Sequence, residues 1–263
     1  MEKETLIKTE TNDDVTTITL NRPDVHNALS AEMMKKFVET CEGLSNDRNT
    51  KVIILTGAGE RSFCSGADLR GMSDQAKVSV MEFKQHVTLY RNCLLAIRKL
   101  NKPIIAAVNG YALAGGIGLA ATCDLIYASD NAQFGVPEIN VGLWGMMISK
   151  PLLTKLGYNQ VFELMYLGDR INTEKAKEIG LVNNVFPQGN LIKEVNKIAK
   201  NLSGKNPVAL QQGRESLYMI EDMGFDSALN YLRDQVLVLS QTEDYDEGMN
   251  AFKEKREPKW TGR

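Results

Sequence analysis

The sequence predicts an α/β core with largely parallel strands that passes into a mostly helical C-terminal region. Two observations carry this expectation. Short apolar runs alternate with helical periodicity through the first half, and the chain turns helical after Lys150.

Val15 to Leu20 and Lys51 to Leu55 read as strands, and Ile104 to Val108 reads as a buried one. Between them, Ser30 is placed to cap a helix in which Met33, Met34, Phe37, Val38, Cys41 and Leu44 share a face. A second helix carries Phe83, Val87, Tyr90, Leu94 and Ile97 at steps of four and three. Helical crossovers between successive strands favour parallel pairing. Beyond Lys150 only Leu181 to Phe186 reads as a strand, Asn172 caps a short helix that Gly180 ends, and amphipathic stretches cover 191–202, 207–219 and 225–239. No repeat of 20 to 50 residues with a consensus is visible, although a strand-strand-helix unit can repeat in structure without one.

The chain has 263 residues, 43% hydrophobic and 24% charged, with 31 basic and 33 acidic side chains interspersed. That balance offers no field of one sign for a polyanion, so no nucleic-acid partner is expected. Cys41, Cys64, Cys93 and Cys123 are widely spaced among apolar or small neighbours, which points to reduced core thiols and a cytoplasmic location. The first residues are charged and acidic, and no run of about 18 apolar residues occurs, so neither a signal peptide nor a membrane span is expected. His26 and His86 stand far apart with no HExxH or Cys/His cluster, and no metal is expected.

Three segments look chemical. FCSGADL, from Phe63 to Leu69, and NGYALAGGIGLAATCD, from Asn109 to Asp124, place small residues after strands, where backbone N–H groups stay accessible and a helix dipole adds positive charge. Two such groups converging make an oxyanion hole, while the plainer reading is that Gly115 and Gly116 only permit tight helix packing. Gly116, Gly118 and Ala121 also spell a dinucleotide-like GxGxxA, but after earlier strands and without the acidic residue such a unit needs. In FGVPEINVGLWG, Glu138 is a lone carboxylate in apolar company. Desolvation there favours a proton shuttle, and capping of a short helix after Pro137 is the alternative.

Taken in order, NRPDVHNAL, SGADL, KPIIAAVNGYALAGG, CDLIYAS, FGVPEINVGL and GDRI resemble the enoyl-CoA hydratase/isomerase, or crotonase, superfamily from Leu20 to Trp260. The resemblance implies a spiral of repeated ββα units with a C-terminal helical region that mediates trimers, commonly stacked as hexamers. It divides the chain into an acyl-CoA-binding catalytic core over 1–195 and a helical oligomerisation region over 196–263. The implied substrate is a CoA thioester, with no permanently bound cofactor. The oxyanion donors map to the N–H groups of Ala67 and Gly115, and the catalytic carboxylate to Glu138. Ser65, Gly66, Asp68, Leu69 and Gly116 belong to the same loops on the substrate side, and Arg70 stands where a basic residue meets the CoA phosphates. The resemblance also implies that Val25 and His26 line the nucleotide and pantetheine and that Phe252 with Lys255 reaches the CoA of a neighbouring subunit, while Trp144, Met146 and Met147 read either as an acyl pocket or as plain core.

One departure matters. Family hydratases carry a first glutamate in GGxE, and here that position is Gly118. Syn addition of water is easiest with two carboxylates, whereas moving a double bond from the 3 to the 2 position needs one shuttling base. Isomerisation through Glu138 is therefore favoured, with hydration by a positioned water as runner-up. A carboxylate entering from the loop Gly57 to Arg61, or a water held by Asn140, would restore hydration. Binding without catalysis, decarboxylation and thioester hydrolysis are sibling possibilities. No GxSxG occurs, Ser65 is read as shaping the oxyanion loop, and Asp124 is read as a structural carboxylate at a helix end.

Overall fold

The architecture is seen in a computed structural model that describes residues 5–68 and 79–263. A hairpin of β1 (Ile7–Asn12) and β2 (Val15–Leu20) leads through α1 (Ala31–Asn46) to β3 (Val52–Gly57) and β4 (Ser62–Cys64). Helix α2 (Val80–Arg98) precedes β5 (Ile104–Val108), β6 (Tyr111–Leu113) and α3 (Gly115–Thr122). Strands β7 (Leu125–Ser129) and β8 (Gln133–Gly135) follow, then a 3-10 turn (Pro137–Val141), α4 (Met146–Leu153) and α5 (Tyr158–Leu167). The rest comprises β9 (Arg170–Asn172), α6 (Thr173–Glu178), β10 (Asn184–Phe186), α7 (Leu191–Ser203), α8 (Pro207–Met219), α9 (Phe225–Leu239) and α10 (Glu243–Glu254).

Among the described residues the strands divide into two sheets, ordered β1-β2-β3-β5-β7-β10 and β4-β6-β8-β9. Only the first pair of the one and the last pair of the other are antiparallel, so the parallel expectation holds. The pairs β3/β4, β5/β6 and β7/β8 each lay one strand in the larger sheet and the next in the smaller, and helical chain returns between them. This is the ββα spiral, and its repeat is carried by topology rather than by recurring letters.

Strands β3 and β5 are buried along their whole length because both faces of the sheet are covered. Ile53, Leu55, Ile104 and Ala106 face α1 and α2, packing with Met33, Phe37, Cys41, Cys93 and Ile97. Val52, Ile54, Ile105 and Ala107 point the other way onto Leu191, Val195 and Ala199 of α7. Each large side chain so enclosed contributes roughly 1.5–3 kcal/mol. Helix α7 thus belongs to the sheet it covers, and the expected boundary after residue 195 falls within it.

Ser30 accepts the Met33 N–H at 3.2 Å and Asn172 accepts the Lys175 N–H at 2.9 Å, so both expected caps are in place. Asp124 is structural, as read. It accepts the Ile104 N–H at 2.8 Å, Arg214 Nε at 2.8 Å and the Tyr218 hydroxyl, while Arg214 Nη2 donates to the Ile97 carbonyl at 2.8 Å. This cluster bolts α8 to the start of β5 and the end of α2. The four cysteines are buried and free, and burial pushes the thiols of Cys64 and Cys93 up to about 12.

Other expectations are corrected. Leu181 and Val182 are buried outside the strand, which begins only at Asn184. Helix α2 buries its face from Cys93 onward, leaving Phe83 exposed. Strand β9 and helix α10 form outside the stretches where periodicity predicts an element.

Candidate active site

The site forms at one edge of the smaller sheet. Strands β4, β6 and β8 run parallel and side by side, with Cys64 opposite Ala112 and Leu113 opposite Gly135. Their carboxyl ends therefore leave the sheet together, and just beyond them come Ala67, Gly115 and Glu138. Crevices outside the carboxyl ends of parallel strands are where open α/β sheets gather ligand-binding groups.

The first loop is held in place by the NRPDVHNALS segment. His26 and Asn27 both adopt left-handed backbone, at φ 54°, which turns the Asn27 side chain inward. There it is fully buried, donating to the carbonyls of Ala58 and Ser62 at 3.0 and 2.7 Å and accepting the Arg22 N–H at 2.9 Å. Leu29 then forms a parallel bridge to Ala67. The Leu29 N–H donates to Gly66 at 2.8 Å and the Asp68 N–H to Leu29 at 3.1 Å. In this pattern the central residue turns its own N–H to the opposite side, and that of Ala67 has no backbone partner among the described residues.

The second loop carries strain. Ala114 sits at φ 50° and ψ −126°, a region L-residues rarely occupy, at a cost of about 1–3 kcal/mol. Its N–H is tied to the Gly135 carbonyl at 3.0 Å, and the turn presents the Gly115 N–H as the opening donor of α3, where no residue of the same helix bonds it. The two loops touch. A Cβ on Gly66, at φ +96°, would lie 2.8 Å from the Ala114 Cβ and 3.1 Å from the Gly115 nitrogen. A Cβ on Gly116 would lie 2.0 Å from the Cys64 carbonyl oxygen, so the packing reading applies to Gly116, which is buried against β4. Both donors come from small-residue loops pressed together.

Glu138 lies in the 3-10 turn after β8, which Gly142 closes at φ 77°. Its Oε2 is buried and has no hydrogen-bond partner among the described residues. Burial raises its carboxyl above the ordinary 4.5, offset in part by its own backbone N–H, and among the described residues no charged neighbour shifts it. Glu138 stands in the first turn of this 3-10 helix, as the capping alternative had it, and the N-cap residue, Val136, adds no side-chain hydrogen bond.

The remaining expected residues are distributed around this edge. Ser65 donates its N–H to the His26 carbonyl at 3.0 Å, and Asp68, expected on the substrate side, pairs with Arg22 at 2.8 Å. Val25 is half-buried, while His26 is exposed, bonds Ser62 Oγ through Nδ1 at 2.7 Å and borders a 460 Å³ cleft with Pro23, Asp24 and Arg61. Trp144 is half-buried, edge-on to Tyr166 at 5.4 Å, and Met146 stands exposed nearby in the chain. Among the described residues, Phe252 and Lys255, at the end of α10, form no side-chain hydrogen bond or ion pair with the three loops. Leu69 and Arg70 lie outside the described residues.

Two residues were missed. Tyr90 and Ile148 fill the space beside Gly118, where a Cβ would lie 2.3 Å from the Tyr90 hydroxyl and 2.4 Å from Ile148 Cγ2. The sequence signalled Tyr90 only as one member of an apolar helical face.

The sequence profile of the family described as enoyl-CoA hydratase/isomerase matches residues 10–263. The 2,3-dehydroadipyl-CoA hydratase of Escherichia coli strain K12 is 33% identical, covering 94% of both chains. The short-chain-enoyl-CoA hydratase of Clostridium acetobutylicum is 33% identical over 92% of each. The crystal structure of an enoyl-CoA hydratase from Bacillus anthracis superposes with a TM-score of 0.93 at 31% identity, covering 98% of this chain and all of that one. Fold, site edge and relatives agree: the chain is an enzyme of the enoyl-CoA hydratase/isomerase family, within the crotonase superfamily.

Proposed function

We propose that this enzyme transfers a proton on an enoyl-CoA thioester and that its reaction is migration of the double bond from the 3 to the 2 position. The Glu138 carboxylate removes a proton from C2, and the electron pair moves onto the carbonyl oxygen as an enolate. The N–H groups of Ala67 and Gly115 hold that oxygen. Glu138 then returns the same proton at C4, the pair flows back, and the 2-enoyl thioester results. Fixed donors bind the enolate more strongly than the neutral thioester, by about 3 kcal/mol each.

The observation that carries this reading is the state of Glu138. Its Oε2 is buried without a partner among the described residues, at the same strand ends as the two donor loops, and the position of a second carboxylate is glycine with its space filled. A group stripped of water and of opposite charge is a stronger base once ionised. Hydration is the second reading, favoured by the names of the relatives. It requires Glu138 to take the proton from water and give it to C2.

The protein is to be incubated separately with a short 3-enoyl-CoA and a 2-enoyl-CoA, following double-bond position and water addition by mass spectrometry and NMR. Migration without hydration is expected. Hydration of the 2-enoyl thioester without migration would replace isomerisation by the second reading. Glu138→Gln is expected to abolish turnover and retain CoA-thioester binding, and full activity in that variant would remove Glu138 from the reaction.

We also propose a homotrimer or a hexamer of two trimers, with residues 196–263 as the assembly region and Phe252 and Lys255 completing a neighbour's CoA site. The exposed apolar side chains of α9 support it.

A further inference from the structure

Helix α2 directs the Tyr90 hydroxyl at the second donor loop. The Tyr90 hydroxyl donates to the Gly115 carbonyl at 2.7 Å, and its ring edge lies where a Cβ on Gly115 would meet it at 3.1 Å. The same oxygen occupies the volume that a side chain at position 118 would need. Burial holds the phenol far above its ordinary range, with Cys64, Cys93 and Glu138 close enough to push the same way. Tyr90 is thus a neutral donor that touches Gly115, fills the gap left by the absent glutamate and lies within electrostatic reach of Glu138.

Gly115 and Gly116 are the two most freely rotating residues the chain can place at a helix start. The N–H and the carbonyl of Gly115 meet at one Cα, so a bond that fixes the carbonyl restricts the swing of the N–H. We propose that Tyr90 is a positioning residue for the reaction: its hydroxyl restrains Gly115 so that the Gly115 N–H stays aimed at the thioester oxygen. The inference rests on Gly115 serving as an oxyanion donor, as read above.

Tyr90→Phe removes the hydroxyl and keeps the ring. Misaiming a donor slows the chemical step more than it weakens binding, so kcat is expected to fall about tenfold with KM within about twofold of wild type. In protein labelled with 15N-glycine, the Gly115 amide signal is expected to shift and broaden in Tyr90→Phe, while that of Gly213, on α8, stays in place. An unchanged kcat together with an unchanged Gly115 signal overturns the proposal. So does a lowered melting temperature with kcat and KM unchanged well below it, because Tyr90 would then serve stability alone. Absence of turnover in the wild type on both enoyl thioesters would sink the proposed reaction instead, and the Gly115 signal would still decide the role of Tyr90.

Discussion

In the proposed mechanism Glu138 couples stability and activity in opposite directions. Burial raises its folded-state value above 4.5, so between that figure and the raised value the folded chain keeps a proton that the unfolded chain has released. Stability contributed by this group is therefore present at low pH, falls as pH rises through the window, and stays reduced above it. Glu138→Gln never ionises, and its melting temperature at neutral pH is expected to equal or exceed that of wild type. Calorimetry showing a clear loss there would contradict the burial argument. Activity needs the ionised form, so the acid limb of kcat/KM is expected above pH 4.5, and a limb at or below that value would mean Glu138 is solvated. The glycines obey a steric rule instead. Gly116→Ala sets a Cβ 2.0 Å from a backbone oxygen that belongs to β4 and has no rotamer to escape into. About 1–3 kcal/mol of stability is expected to be lost, read by urea unfolding, with a fall in kcat as the two donor loops separate.

At the scale of elements, what the letters revealed depended on length. Helices with a polar cap, such as α1 behind Ser30 and α6 behind Asn172, were legible because the cap is a local bond. Strands β3 and β5 were legible because two covered faces demand a continuous apolar run, and β2, VTTITL, because its residues are mostly β-branched. The three-residue strands β4, β6, β8 and β9 were not, since three residues hold no period, yet β4, β6 and β8 bring Ala67, Gly115 and Glu138 together. The donor loops showed themselves through their small residues. That the Ala67 N–H turns away from Leu29, and that Tyr90 reaches Gly115 from a different helix, follow from tertiary contacts with no sequence signature. The same holds for Arg214, an ordinary-looking residue of α8 whose side chain is only 6% exposed against an Asp124 at 21%. Arg214→Met removes the cation bonded to that carboxylate, with Lys155 the positive charge that still acts on it, and strips donors from the carbonyls of Ile97, Arg98 and Leu100. A loss of about 3 kcal/mol is expected, at the lower end for a buried pair because Asp124 retains some solvent. Denaturation within about 1 kcal/mol of wild type would show that α8 is held by its apolar contacts alone.

For the whole molecule, the apolar surface is the feature that calls for a partner. Helix α9 buries no residue within the chain, and Phe225, Val236 and Leu237 are 83%, 64% and 61% exposed. Isolated exposed apolar residues are ordinary, but several on one helix make a surface that a closed, symmetric assembly of identical chains would cover. Light scattering is expected to give three or six chains, and Leu237→Arg to shift the distribution toward single chains; monomers in the wild type would remove the trimer. In the proposed assembly Phe252 and Lys255 would gain a function as well. Phe252 is 82% exposed, and Lys255 ends α10 in a left-handed turn at φ 54°. If these residues complete the CoA site of a neighbour, Lys255→Ala removes binding shared equally by ground and transition states. KM should rise with kcat unchanged, and the effect should vanish in the dissociated Leu237→Arg background. A kcat loss with KM unchanged would instead place Lys255 in the chemistry or in the fold of its own subunit.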